Sequence, residues 1–199
     1  MGLRERKREQ TRSALADAAL DLFSERGYDA TTIADIAERA GVSPRTFFSH
    51  YPSKEQVMFP DDELLFSTLE IALAERPEGQ QTLDALRTWL VSMLGVMDLE
   101  AEAGRKQLQR DVVAGTPVLL AHQRHLLARF EVLIRESVAA DLGETADDLR
   151  PRLVAATAAA ALDATHPVDN AVYELPEILA RLDLALAFLR GGLAALDDG

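Results

Sequence analysis

The chain has no cysteine, which excludes disulfides and thiolate metal sites. Histidine is scarce, with four scattered along 199 residues. His122 and His125 could share a helix face, but no acidic partner at ligand spacing joins them, so they read as solvated helix residues. Long apolar runs are missing. The longest, Leu153 to Leu162, is interrupted by Thr157 and falls far short of the roughly 20 residues a membrane-spanning helix needs. The N-terminus is charged and lacks the apolar core of a signal peptide. There are no strand signals and no internal repeats. Nucleophile–base pairings, metal-ligand clusters, phosphate-binding glycine loops and paired carboxylates are also lacking, which argues against an enzyme. The expectation is an all-α, soluble, cytoplasmic protein with no cofactor, no metal and no membrane partner.

Positive charge is also in deficit. The net charge is −12, which looks wrong for a nucleic-acid binder until the chain is divided. Residues 1–55 hold 9 Lys/Arg and 9 Asp/Glu, whereas residues 56–199 hold 12 and 24. The acidity belongs wholly to the second part. In the first, cations gather at Arg4, Arg6, Lys7, Arg8 and Arg12. A small basic footprint on an acidic body suits site-specific DNA binding and argues against indiscriminate coating of nucleic acid.

The most informative stretch is Thr31 to Lys54. Thr32 can cap a helix, with Asp35 completing a capping box. Ile33, Ile36 and Ala37 then fall on one helical face. Gly41 stands where a helix end wants a left-handed residue, and Val42 plugs the turn. Ser43 is a strong N-cap, and Pro44 takes the first helical position, where its missing N–H costs nothing. One helix stops and another starts within four residues, the pattern of a helix-turn-helix whose second helix, about Pro44 to Tyr51, enters a DNA major groove. Phe47 faces the core. Arg45 can bridge the two acceptors of a guanine edge, and Thr46 can bond a phosphate or touch a thymine methyl. Ser53 should cap a further helix, with Gln56 as its reciprocal partner. Lys54 would lie in that helix's first turn, where the macrodipole disfavours a cation, so a DNA phosphate is the expected reason for it.

Taken together, Ala18, Phe23, Gly27-Tyr28, Thr31-Thr32, Ile36-Ala37, Ala40 to Ser43, Thr46-Phe47, His50-Tyr51 and Ser53 to Glu55 resemble the N-terminal DNA-binding domain of the TetR/AcrR family of bacterial transcriptional regulators. The resemblance covers about a quarter of the chain. It implies DNA contacts from Thr31, Thr32, Ser43, Pro44, Arg45, Thr46, Phe48, His50, Tyr51 and Lys54. One position departs: the family usually has a tyrosine, whose hydroxyl reaches a phosphate, where Phe48 stands. Contact there must be apolar or absent.

The expected architecture is a three-helix DNA-binding domain, residues 1–53, followed by a larger helical ligand-binding and dimerisation domain, residues 54–199, with about nine helices in all. The first helix ends at Gly27. A fourth, from Ser53, is interrupted at Met58 to Asp62, where Pro60 should kink it or force a restart. Further helices are expected over about 82–99, 100–114, 117–141, from 147 and from Pro176, with a break at His166-Pro167. As the resemblance implies, the middle helices would enclose a pocket for a small-molecule effector, with Phe66, Trp89, Met93, Met97, Val113, Leu126 and Phe130 as candidate walls; the same residues could simply fill a core. The run Asp148 to Leu153 resembles regulators that take acyl-CoA-like ligands. The last two helices, with an alanine-rich face and a leucine stripe, suit a two-fold four-helix contact. Its candidate residues are Leu153, Ala156, Ala159, Ala160, Leu182, Leu186 and Leu189. The function expected is a homodimeric repressor that a small apolar or amphipathic ligand releases from a palindromic double-stranded DNA operator. The rival is a helical interaction protein with a degenerate DNA reader, which Phe48 would favour.

Overall fold

The computed structural model describes residues 2–95, 99–163 and 174–197. Met97, His166 and Pro167 lie outside the described residues. Within them the chain forms nine α-helices and no strand. They are α1 (Leu3–Arg26), α2 (Ile33–Arg39), α3 (Pro44–His50), α4 (Asp62–Ala74), α5 (Thr82–Gly95), α6 (Leu99–Ala114), α7 (Pro117–Leu142), α8 (Leu149–Asp163) and α9 (Leu175–Asp197). Among the described residues no helix is long and apolar enough to cross a membrane.

The chain divides into two compact units. The first runs to Glu63 and takes in Gly104–Arg124. Its core sets Leu15, Ala19, Leu22 and Phe23 of α1 against Ile36, Phe47, Tyr51 and Val57, and adds Val113 of α6 and Leu119 of α7. The boundary expected at residue 53 therefore falls inside a packed body. Val57 and Met58 of 54–63 and Val113 and Leu119 of 104–124 are buried with the first three helices, and each such side chain removed from water contributes about 1.5–3 kcal/mol.

Between α3 and α4 the expected helix start at Ser53 is cut short. Ser53 Oγ accepts only a long bond from the Gln56 N–H, 3.4 Å, and a single 3-10 turn, Gln56–Met58, follows. Pro60 breaks the helix rather than kinking it, and α4 restarts at Asp62, whose Oδ1 accepts the Glu63 N–H at 2.8 Å. The segment is held from three sides: Arg12 donates to the Pro60 carbonyl, Gln109 donates to the Met58 carbonyl, and His122 stacks on Phe59 with ring centroids 5.0 Å apart.

The second unit comprises Leu64–Ala103 and the chain from His125 on. Its core joins Leu69 and Leu73 of α4, Leu83, Leu86 and Trp89 of α5, Ile134 and Val138 of α7, Ala155 and Ala158 of α8, and Leu182, Leu186 and Leu189 of α9. α8 and α9 pack along each other. The alanines, both fully buried, let the leucines of α9 approach closely. The first turn of α5 is capped from another helix. Asp141 Oδ2 of α7 accepts both the Thr82 N–H, at 2.7 Å, and the Thr82 hydroxyl, at 2.6 Å. Asp141 Oδ1 takes Arg76, whose guanidinium also donates to Ser137 Oγ.

This packing changes one expectation. Leu182, Leu186 and Leu189 face the chain's own core, at 4%, 0% and 4% exposure, so in the single chain they are not available to a second copy. The opposite stripe of α9, Leu184 and Phe188, is exposed. Leu153, Ala156 and Ala160 of α8 are likewise exposed, and Ala159 is half-buried.

Candidate nucleic-acid interface

The reader is built from local signals. Thr32 Oγ1 accepts the Asp35 N–H at 3.2 Å while Asp35 Oδ2 accepts the Thr32 N–H at 2.8 Å, a closed capping box at the start of α2. The Thr32 hydroxyl, which donates to Asp35 Oδ2 at 2.7 Å, then the Thr32 N–H and Arg26, 2.7 Å away, hold the Asp35 carboxyl below its ordinary range. Gly41 ends α2 with φ +70°, a backbone that a Cβ would strain. The Val42 N–H returns to the Ala37 carbonyl at 2.9 Å, closing the helix end in Schellman fashion. Ser43 Oγ then accepts the Thr46 N–H at 3.1 Å, and Pro44 opens α3.

α3 has seven residues, and its faces separate cleanly. Phe47 is fully buried and Tyr51, just past its end, is 2% exposed. Pro44, Arg45, Phe48 and Ser49 are exposed, and Thr46 and His50 are half-buried. Two outer hydroxyls are already engaged: Thr46 Oγ1 lies 2.9 Å from Ser43 Oγ, and Ser49 Oγ donates to the Thr46 carbonyl at 2.6 Å. Arg45 makes no hydrogen bond or ion pair among the described residues. It is the long bidentate donor on the outer face, in the first turn, the part of a recognition helix that meets base edges. His50 has its Nδ1 buried without a partner. Burial, then the charges of Arg8 and Arg12, hold its imidazole below the ordinary histidine range.

Three of the expected DNA contacts turn inward. Thr31 is 1% exposed and donates to the Gly27 carbonyl at 2.9 Å. It locks the α1–α2 corner, while Thr32 beside it stays exposed. The Tyr51 hydroxyl donates to the Arg12 carbonyl at 3.0 Å, and the Arg12 guanidinium lies 4.9 Å from the Tyr51 ring centroid. The Lys54 ammonium donates to the carbonyls of Tyr28 and Thr31, both at 2.9 Å, and sits 3.7 Å above the Tyr28 ring. This is an internal reason for a cation at that position. Sequence reasoning missed it because those carbonyls lie more than twenty residues upstream. The clasp continues through Glu55, which accepts from the Tyr28 hydroxyl.

The described candidate effector residues are divided between the two units. Val113 belongs to the core of the first unit. Phe66 is 7% exposed, with the Arg129 guanidinium 4.2 Å from its ring centroid. Trp89 donates its indole N–H to Thr68 Oγ1 at 3.0 Å. Met93 and Phe130 pack against the core of the second unit, and Leu126 is half-buried on α7. A cleft of about 500 Å³ lies elsewhere in that unit, where Arg76, Gly79, Gln80 and Asp141 line it without any of the candidates. Among the described residues no group of three His, Asp or Glu could hold a metal ion.

Comparison with known proteins agrees with the reader just described. Residues 15–59 match the bacterial regulatory proteins of the tetR family, and residues 80–194 match the MftR C-terminal domain. The chain is 38% identical over 160 residues to the HTH-type transcriptional regulator TcmR of Streptomyces glaucescens, covering 78% of this chain and 71% of that one. It is 30% identical over 152 residues to the mycofactocin biosynthesis regulator MftR of Mycobacterium tuberculosis, covering 76% of each. Among solved structures it is similar to the TetR-family repressor FadR of Thermus thermophilus in complex with lauroyl-CoA. That match has 25% identity and a TM-score of 0.52, over 89% of this chain and 92% of that one. A transcriptional regulator from Pseudomonas aeruginosa shares the fold at a TM-score of 0.62 and 18% identity, over 94% and 91% of the two chains. With a capped helix-turn-helix in its first unit and only helices among the described residues of its second, the chain belongs to the TetR family of DNA-binding transcriptional regulators.

Proposed function

We propose that the chain acts in the cytoplasm as a homodimeric repressor on a palindromic operator and that a small apolar or amphipathic effector releases it. The observation that carries the reading is the outer face of α3, where a rigidly capped helix presents an unpartnered Arg45 beside an exposed Phe48. Seven residues of helix give too little contact for tight binding alone. Two copies on a two-fold axis supply affinity and read an inverted repeat. The exposed stripe of Leu184 and Phe188 on α9, with Leu153, Ala156 and Ala160 of α8, is the apolar surface offered to the second copy. DNA contacts are assigned to Thr32, Ser43, Pro44, Arg45, Thr46, Phe48 and His50.

An acyl-bearing effector is the chemistry favoured by the lauroyl-CoA complex of the FadR relative, with Phe66, Trp89, Met93, Leu126 and Phe130 as the apolar side chains from which a pocket would be opened. Selection of bound duplexes from a random library tests the DNA half of the reading, and addition of lauroyl-CoA to the selected complex tests the effector half. Enrichment of an inverted repeat, with release by the acyl ligand at concentrations where free coenzyme A does nothing, supports the reading. Failure to enrich any sequence contradicts it.

A further inference from the structure

We propose that Phe48 is a specificity-determining residue that reads the 5-methyl group of a thymine, and that this thymine lies within two base-pair steps of the guanine read by Arg45. The inference rests on the DNA-binding reading and adds to it a base identity.

Phe48 is 57% exposed on a helix whose other large apolar side chain, Phe47, is fully buried. Its ring has no hydroxyl to offer a phosphate and no polar atom to offer a base edge. In the major groove, thymine alone presents a methyl group, and apolar side chains are its natural contact. The ring is also held in place. Phe47, fully buried one residue earlier, meets it edge-on, with centroids 5.6 Å apart and planes at 84°. A side chain propped from beneath loses little freedom when a methyl group covers it.

Position supplies the second half of the inference. Arg45 and Phe48 are three residues apart, so their Cβ atoms are roughly 5–6 Å apart on one face. Successive bases on a strand rise about 3.4 Å. Two side chains so spaced reach bases one or two steps apart. Each half-site should therefore pair a guanine with a nearby thymine, the first read by hydrogen bonds and the second by apolar contact.

The test changes the DNA and leaves the protein intact. The duplex that wild-type protein enriches from a random library is remade with uracil replacing thymine at one symmetric pair of positions at a time, which removes only the methyl groups. Burial of one methyl is worth about 0.8 kcal/mol, so one thymine position should show a loss of about fourfold per half-site on replacement by uracil. In Phe48→Ala that position should become insensitive to the swap, while the other thymines behave as in wild type. Phe48→Leu, which keeps an apolar side chain, should retain part of the sensitivity. The inference is overturned if no thymine position responds to the swap, if the responsive position responds equally in Phe48→Ala, or if it lies more than two steps from the guanine that Arg45→Ala ceases to distinguish. If no duplex is enriched at all, the DNA-binding reading falls and this inference falls with it.

Discussion

At the scale of single residues, Lys54 decides between two roles for a cation beside the reader. Its ammonium bonds two carbonyls and lies over the Tyr28 ring, so it pins the end of the α1–α2 corner to the segment after α3. Hydrogen bonds from a charged donor are worth about 1.5–3 kcal/mol each, non-additively. Lys54→Ala should therefore lower the stability of the first unit by about 2 kcal/mol, measured by denaturant unfolding, and leave the salt slope of DNA binding unchanged. A slope lowered by about one unit with stability intact would instead return Lys54 to the phosphate backbone. Asp62 carries a pH signature. Burial raises its carboxyl above the ordinary range against the opposing Glu63 N–H. An acid whose folded pKa is raised contributes stability below its unfolded pKa, and that contribution is lost as pH rises through the folded value. Asp62→Asn keeps the cap and removes the charge. It should be more stable than wild type at neutral pH, and the difference should vanish on acidification to the ordinary carboxylate range. A difference that persisted below that range would contradict burial as the cause.

At the scale of elements, α5 depends on an acid from α7. With Asp141 removed, the Thr82 N–H loses its partner and the half-buried Arg76 guanidinium loses its carboxylate, keeping Ser137 Oγ and the Leu73 carbonyl. Asp141→Ala should cost about 3 kcal/mol, read as a lowered unfolding midpoint, whereas a change under 0.5 kcal/mol, about what an ordinary surface substitution gives, would show the cluster to be dispensable. This cap was not legible in the sequence, because its partners stand 59 residues apart. The caps of α2 and α3 were legible because Thr32 with Asp35 and Ser43 with Pro44 and Thr46 act within one turn. Pro60 announced an interruption, since its missing N–H acts locally too. It could not announce that Arg12, Gln109 and His122 would hold the broken segment. α9 shows a different limit. Leucines repeat on both of its faces, so periodicity located a helix without saying which stripe turns inward. Packing against Ala155 and Ala158 settles that Leu186 faces the core. Leu186→Glu should then unfold the second unit, at a cost on the order of 4 kcal/mol. Leu184→Glu, on the exposed stripe, should leave folding nearly unchanged and give monomers in sedimentation. Dimers persisting in Leu184→Glu and Phe188→Glu together would move the contact elsewhere.

At the scale of the whole molecule, charge and symmetry set how the regulator finds DNA. The chain's acidity lies beyond residue 55, so on the proposed reading non-specific attraction to DNA should be weak and affinity should come from two readers acting together. Arg45→Ala should cost about 1–3 kcal/mol per half-site and relax preference at one guanine position. A uniform loss across all operator variants would assign Arg45 to a phosphate instead. The most direct test of the whole account is the mass of the complex that the purified chain forms with its selected duplex, measured together with its preference over a scrambled duplex of the same length. The account predicts two chains per duplex on an inverted repeat, with a preference of at least a thousandfold. One chain per duplex, or equal binding to the scrambled sequence, would contradict it.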